Sequence, residues 1–356
     1  MRRRCAIVEC YNRHDEVYLS TVYLLNQLDY EVHVFTTLRN RLKNSFVYTE
    51  KLNRKVHFSV SASDLLDPGT YDDFDLVVFN TFEGPAVLDA ARKVVEKIPI
   101  IGFLHNASYV RSKPEYEFFI ANNQCKFAVL APYIQRDIAD TVDALYMYPV
   151  FFYDRSVPRL PGASGKKRFC VQGYFDSTRR QYSLLVNALQ DLRMEGRDDL
   201  EVYVMGRTFS RDFLSFYSEI KKRDLASYVR YAWKGIGYRT YYSLLNSVDY
   251  ILPLVSPTSH PEYFLGKATS SVAAAIGFGK ISVLDEKLAA FYGVEEASFT
   301  YADDLTKAMR AALEASDDDV KLFLDRLAII KEKRLQQSMQ QLKQSISQFT
   351  RTPVPA

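Results

Sequence analysis

The sequence predicts an α/β protein made of two doubly wound parallel-sheet domains in tandem. Its 356 residues exceed one ordinary hydrophobic core and suit two domains of about 150–170 residues each. Short apolar runs alternate with helical patterns along most of the chain, as successive βα units of a parallel sheet require. Residues 149–167 (PVFFYDRSVPRLPGASGKK) interrupt the alternation with three prolines, two glycines and two serines, which suits an interdomain linker.

The first half supplies strand-length apolar runs at 5–10, 31–37 (EVHVFTT), 55–60, 75–80 (DLVVFN), 98–104 (IPIIGFL) and 126–130 (KFAVL). Helical patterns lie after the first run to about Leu28, then near 84–96 and 133–141. Alternation restarts with strands expected at 168–172 (RFCVQ), 200–205 (LEVYVM), 229–233, 250–254 (YILPL) and 280–284 (KISVL). Helices are expected at 182–195, 211–223, 239–247, 269–277 and 305–315. Residues 317–349 read as helix, because Leu335, Met339, Leu342, Ile346 and Phe349 recur at four- and three-residue steps. That pattern predicts an amphipathic helix packed on the body; its basic, glutamine-rich outer face could alternatively touch a membrane or a partner protein. The expected division is 1–155 as a first Rossmann-like domain, 156–167 as linker, 168–330 as a second Rossmann-like domain and 331–356 as the C-terminal helix and tail.

Lys and Arg number 46 against 43 Asp and Glu, a balance of +3 that is too even to mark a nucleic-acid binder. After Arg2-Arg3-Arg4 the apolar run ends at Glu9, and no segment has the length of a signal peptide or a bilayer span. Cys5, Cys10, Cys125 and Cys170 are scattered without metal-ligand spacing, so buried free thiols and a cytoplasmic setting are expected. The 25 tyrosines are unusual, although most Tyr side chains serve packing.

Facing doubly wound domains bind ligands in a cleft at the carboxyl ends of their strands, so residues just after strands are the candidates. In the second half, Gly173 turns the chain toward Arg179 and Arg180, a possible phosphate clamp at a helix start or a solvated basic loop. Gly206-Arg207 repeats the arrangement one strand later. Lys267, Thr269, Ser270 and Ser271 open an alanine-rich helix, where Ser and Thr cap and free amides attract anions. In the first half, His14, Asp15, Glu16, Glu83, His105 and Asn106 all follow strands. His33 and His57 lie within strand patterns and are read as structural.

The ordered segments GYFDSTRRQYSLLVNAL, LEVYVMGR, VRYAWKGIGYRTYYSLLNSVDYILPLV and SHPEYFLGKATSSVAAAIGFGKISVL resemble the carboxyl-terminal half of GT-B glycosyltransferases over residues 168–285. Asn246-Ser-Val-Asp249-Tyr-Ile-Leu-Pro253 matches the family's helix–Asp–strand–Pro segment, and Phe103-Leu104-His105-Asn106 resembles its post-strand histidine loop. Departures accompany the match. Glu262 stands at the first donor-loop glutamate, but Ser270 occupies the second place; Arg179 replaces a lysine, Tyr174 replaces an arginine, and Asn12-Arg13-His14-Asp15-Glu16 replaces a glycine-rich loop.

The resemblance implies a GT-B fold and transfer of a sugar from a nucleotide-diphosphate sugar to an acceptor hydroxyl, in polysaccharide, glycolipid or glycoconjugate assembly. Gly173, Arg179, Arg180, Arg207, Lys267, Thr269, Ser270 and Ser271 are then the donor-phosphate candidates, and Glu262 the contact to sugar hydroxyls or an exposed loop carboxylate. Trp233 or Tyr238 could stack on the base, and Tyr109, Tyr174 and Tyr263 on sugars. Asp15 and His105 are the general-base candidates, with His14, Glu16, Glu83 and Asn106 beside the acceptor. No cofactor is expected beyond the nucleotide-sugar co-substrate, and without an acidic metal-binding triplet a metal-independent leaving-group site fits better. The lost glutamate and altered first loop also allow a non-catalytic scaffold subunit, and the fold alone allows a nucleotide-sugar isomerase.

Overall fold

The computed structural model describes residues 2–11, 14, 16–149, 157–160, 165–173, 175–206, 210–231 and 236–349. The chain divides into two compact units: Met1–Phe152 with Leu265–Ala268 and Lys333–Ala356, and Tyr153–Phe264 with Thr269–Glu332. Two short returns to the first unit thus lie within the segments that the sequence pattern groups with the second domain and the tail.

The first unit carries β1 (Arg4–Glu9), β2 (Glu31–Thr37), β3 (Lys55–Ser59), β4 (Leu76–Phe79), β5 (Ile100–Phe103), β6 (Cys125–Val129) and β7 (Ala144–Tyr146). Among the described residues these form one parallel sheet in the order β3-β2-β1-β4-β5-β6-β7. The order reverses between β1 and β4, which opens a crevice beyond their carboxyl ends. Cys5 to Glu9 are all buried, as a central strand covered on both faces demands. The long helix Asp317–Gln348 closes this unit with its second half. Leu342, 1% exposed, joins the core of Ile7, Val22, Val34 and Phe103, and Met339, Ile346 and Phe349 pack against it. Gln341 Oε1 accepts from the backbone N–H of Tyr146 at 2.6 Å, and Ser338 Oγ from that of Tyr148 at 2.8 Å. The helix therefore satisfies the edge strand β7, which would otherwise offer bare N–H groups to another chain.

The second unit carries β8 (Lys167–Val171), β9 (Leu200–Val204), β10 (Val229–Tyr231), β11 (Tyr250–Ile251), β12 (Ile281–Asp285) and β13 (Ser298–Tyr301). Their parallel order is β10-β9-β8-β11-β12-β13, reversing between β8 and β11. Two strands, β7 and β13, have no counterpart in the sequence pattern: ALY runs on into the proline-containing stretch from 149, and SFTY lies in no longer apolar run. All four cysteines are buried and free. Among the described residues no helix is long and apolar enough to cross a membrane.

Candidate active site

In the first unit the polar residues that end buried strands build one connected network. Glu9 closes β1 fully buried and accepts from Tyr11 N at 2.8 Å, from Asn80 Nδ2, and from Thr81 Oγ1 at 2.8 Å. Three donors compensate the desolvation that a lone buried carboxyl would suffer. Asn80, just after β4, also donates to the His14 carbonyl at 3.0 Å, while its own carbonyl oxygen accepts from His105 Nε2 at 2.7 Å. His14 adopts a left-handed backbone (φ 57°) and stacks on His105 with ring centroids 3.6 Å apart.

Burial, with the His14 charge adding to it, holds the His105 pKa well below the ordinary histidine value, against the opposing Asn80 carbonyl. Glu83 Oε1 accepts from the backbone N–H groups of His105 (3.1 Å) and Asn106 (2.8 Å) and so fixes the loop after β5. Burial raises the Glu83 pKa, opposed by those two amides and by Lys267 and Lys113. Asn106 turns its Oδ1 onto Ser108 Oγ at 2.7 Å, and Glu16 is half-buried in the turn before the helix Tyr18–Gln27.

Lys267 falls in this unit, not with the residues of the second. Tyr133 donates its hydroxyl to the Lys267 carbonyl at 2.5 Å, and Ala107 N donates to Gly266 O at 2.9 Å. A Cβ on Gly266 would stand 3.2 Å from Ser108 N, so the two backbones approach closely here and a side chain would push Ser108 aside slightly.

In the second unit the carboxyl end of β8 gathers the donor-side candidates. Gly173 has φ 101°, and a Cβ there would lie 2.5 Å from Arg180 Nη2. The buried Arg180 guanidinium thus occupies the space where a side chain at 173 would stand. Arg179 points instead to the surface, where its Nε pairs with Asp176 at 3.0 Å. Burial raises the Asp176 pKa, but two hydrogen bonds from Thr178, with Arg179 and Arg180, outweigh it and the net shift is downward.

Gln172, 2% exposed, donates from Nε2 to Ser270 Oγ at 3.2 Å and so joins this loop to the helix Ser270–Phe278. Thr269 caps that helix by accepting from Ser271 N at 3.3 Å, and its own N–H donates to Tyr292 Oη at 2.7 Å. Among the described residues the buried Ser271 Oγ and Gln172 Oε1 have no hydrogen-bond partner. Glu262 is exposed on the turn Pro261–Phe264, with His260 Nε2 3.7 Å from its carboxylate.

Asp15, Tyr174, Arg207 and Trp233 lie outside the described residues. Sequence reasoning passed over Glu9, Asn80 and Gln172, each the polar residue at or just past the end of a buried strand. Among the described residues no group of three or more His, Cys, Asp or Glu side chains could hold a metal ion.

No protein-family model matches the chain, and no curated protein matches its sequence. Solved structures do match its fold. A glycosyltransferase from Rickettsia africae superposes with a TM-score of 0.63 at 10% identity, covering 97% of this chain and 98% of that one. Anabaena HepE in complex with UDP-glucose gives 0.65 at 13% identity, covering 97% and 100%. The UDP-forming trehalose-phosphate synthase of Burkholderia xenovorans gives 0.59 at 11% identity, covering 98% and 99%. The two parallel sheets and the long C-terminal helix place this chain in the GT-B fold that these glycosyltransferases share.

Proposed function

We propose that the chain is a glycosyltransferase that moves a sugar from a nucleotide-diphosphate sugar to an acceptor hydroxyl in glycan, glycolipid or glycoconjugate assembly. The observation that carries the reading is the meeting of Gly173, Arg180, Gln172 and the capped start of the helix Ser270–Phe278 at the end of β8. A leaving diphosphate needs fixed positive charge and N–H donors, and a buried guanidinium beside a helix N-terminus supplies both without reorganisation. Ser270, exposed at the helix start, adds a hydroxyl, and the buried Gln172 holds it in place. Arg179 adds charge only if it leaves Asp176. UDP is the nucleotide to try first, because Anabaena HepE has been solved with UDP and with UDP-glucose.

Within the first unit, His105 is the general base. A proton on Nε2, donated to Asn80 O, leaves the Nδ1 lone pair to take a proton from the acceptor hydroxyl. Glu83 and Asn106 hold the loop that carries it, and Glu262 of the second unit serves the donor-sugar hydroxyls.

Calorimetric titration with UDP, GDP, CMP and dTDP, alone and as their sugars, tests the donor site. Binding of one nucleoside diphosphate and its loss in Arg180→Ala support the reading. Silence toward all four favours a scaffold subunit, and product analysis with acceptors separates transfer from isomerisation.

A further inference from the structure

We infer that the edge of the first unit formed by the helix Leu38–Lys43 and β3 is a seat for an anionic lipid surface. Large apolar side chains are exposed here side by side: Leu42 is 84% exposed and Val60 88%, with Leu38 and Phe58 also open. Leu38 and Leu42 stand four residues apart on one face of their helix. Ser59 pairs with Thr37, so Val60 and Leu38 leave neighbouring strands side by side. The helix therefore continues the apolar strip that β3 begins.

The charge around this strip is mostly positive, with Asp64, which accepts from Ser59 Oγ at 2.6 Å, as an acidic neighbour. Residues 38–60 hold Arg39, Arg41, Lys43, Lys51, Arg54 and Lys55 against the single carboxylate of Glu50, although the whole chain carries only +3. The rest of the chain is therefore slightly acidic. Arg54 is turned inward onto the carbonyls of Thr49 and Leu52, and Lys55 is neutralised by Glu31. Arg39 and Arg41 remain on the surface of the helix that carries Leu38 and Leu42, with Lys43 half-buried at its end. Arg41 lies over the Phe58 ring, 5.6 Å from its centroid, so cation and apolar group share one spot.

Exposed aliphatics ringed by Arg and Lys match a bilayer interface, where the apolar tips enter the acyl boundary and the cations meet anionic headgroups. A second copy of this edge would set like charge against like, and a nucleic acid would leave Leu42 and Val60 without a partner. The apolar seam of the C-terminal helix cannot serve this purpose, since Leu342 and its neighbours are spent on the core. The seat stands on this surface alone and does not depend on the sugar-transfer reading.

Flotation of the whole protein with phosphatidylglycerol vesicles and with phosphatidylcholine vesicles tests it. The protein should float with the first, not with the second, and release as salt rises. Arg39→Ala with Arg41→Ala should weaken partitioning about thirtyfold, two cations at about 1 kcal/mol each. Leu42→Ser with Val60→Ser should also weaken it while leaving the melting temperature unchanged. Failure to bind phosphatidylglycerol, or binding that neither double variant diminishes, overturns the seat. So does a dimer in sedimentation that Leu42→Ser with Val60→Ser dissolves.

Discussion

His105 donates from Nε2 to the carbonyl oxygen of Asn80 at 2.7 Å, and that bond decides which ring nitrogen is left basic. Asn80 is itself held by the buried carboxylate of Glu9 and by the His14 carbonyl. The tautomer and orientation of the ring are thus set by the ends of β1 and β4, the two strands at which the sheet order reverses.

The pH profile of transfer should carry this signature. Burial depresses the His105 pKa well below its ordinary value, so the ring stays neutral through the physiological range. The acidic limb of kcat/KM is expected below about pH 6.5, the unperturbed histidine value. His105→Ala should lower kcat by about 10²–10⁴ with nucleotide affinity unchanged. An acidic limb at or above neutral would assign the base to another group.

Glu9→Gln should separate the network from the donor site. The amide keeps one acceptor oxygen and turns its NH2 either onto Tyr11 N or onto Asn80 Nδ2 and Thr81 Oγ1, all of which donate now. Leaving buried donors without acceptors costs about 2–4 kcal/mol, measured by urea unfolding. The kcat should fall with it, because Asn80 no longer holds His105 in place. Nucleotide affinity, read by calorimetry, should not change, since Gln172, Arg180 and Ser270 belong to the other unit.

The sheet strands were legible because buried parallel strands show as apolar runs, and 31–37 matches its strand residue for residue. β7 and β13 were not, since ALY runs on into the proline-containing stretch from 149 and SFTY lies in no longer apolar run of the kind that marks the equally short β4 and β5. Residue type and position after a strand single out His105, Arg180 and Gly173 as candidates in the sequence. Glu9 and Gln172 read in sequence as the end of a strand, and only the fold shows that they sit inside it among hydrogen-bond partners. Arg179 and Arg180 are adjacent and alike in sequence, yet one pairs with Asp176 at the surface and the other packs on Gly173. Which of two neighbouring arginines turns inward depends on the space a glycine leaves, a tertiary fact. Lys267 follows Gly266, whose close backbone approach to Ser108 carries this segment into the first unit.

Gly173→Ala and Arg180→Ala should lose the same function for different reasons. Alanine at 173 meets both a φ of 101°, costly for any residue with a Cβ, and Arg180 Nη2 at 2.5 Å. The guanidinium must move out of the cradle. Removing one charge-assisted contact to a phosphate costs about 1.5–3 kcal/mol, a loss of about 10- to 150-fold in nucleotide affinity. Arg179→Ala should cost less than Arg180→Ala, because its guanidinium is already engaged by Asp176. Calorimetry on the three variants checks the order, and an equal loss for both arginines would contradict it.

Lys280 links the stability of the helix Ser270–Phe278 to pH in the same sense as a paired carboxylate, but in an alkaline window. It is 8% exposed, follows the left-handed Gly279 that ends the helix Ser270–Phe278, and donates to the Asn246 carbonyl at 2.8 Å. Burial, with repulsion from Arg159, lowers its pKa from 10.5 to about 8, against the attraction of Asp249. A folded-state pKa below the unfolded one means that the unfolded chain holds more protons between these values, so stability rises with pH across that window. The gain is complete above 10.5 and is lost as pH falls through about 8. Lys280→Met has no such term. The unfolding free energy of the wild type relative to this variant should therefore increase by about 2 kcal/mol from about pH 7 to about pH 9.5. Urea unfolding of both proteins at the two pH values measures it, and a difference that does not change with pH would show that the buried ammonium carries no desolvation penalty.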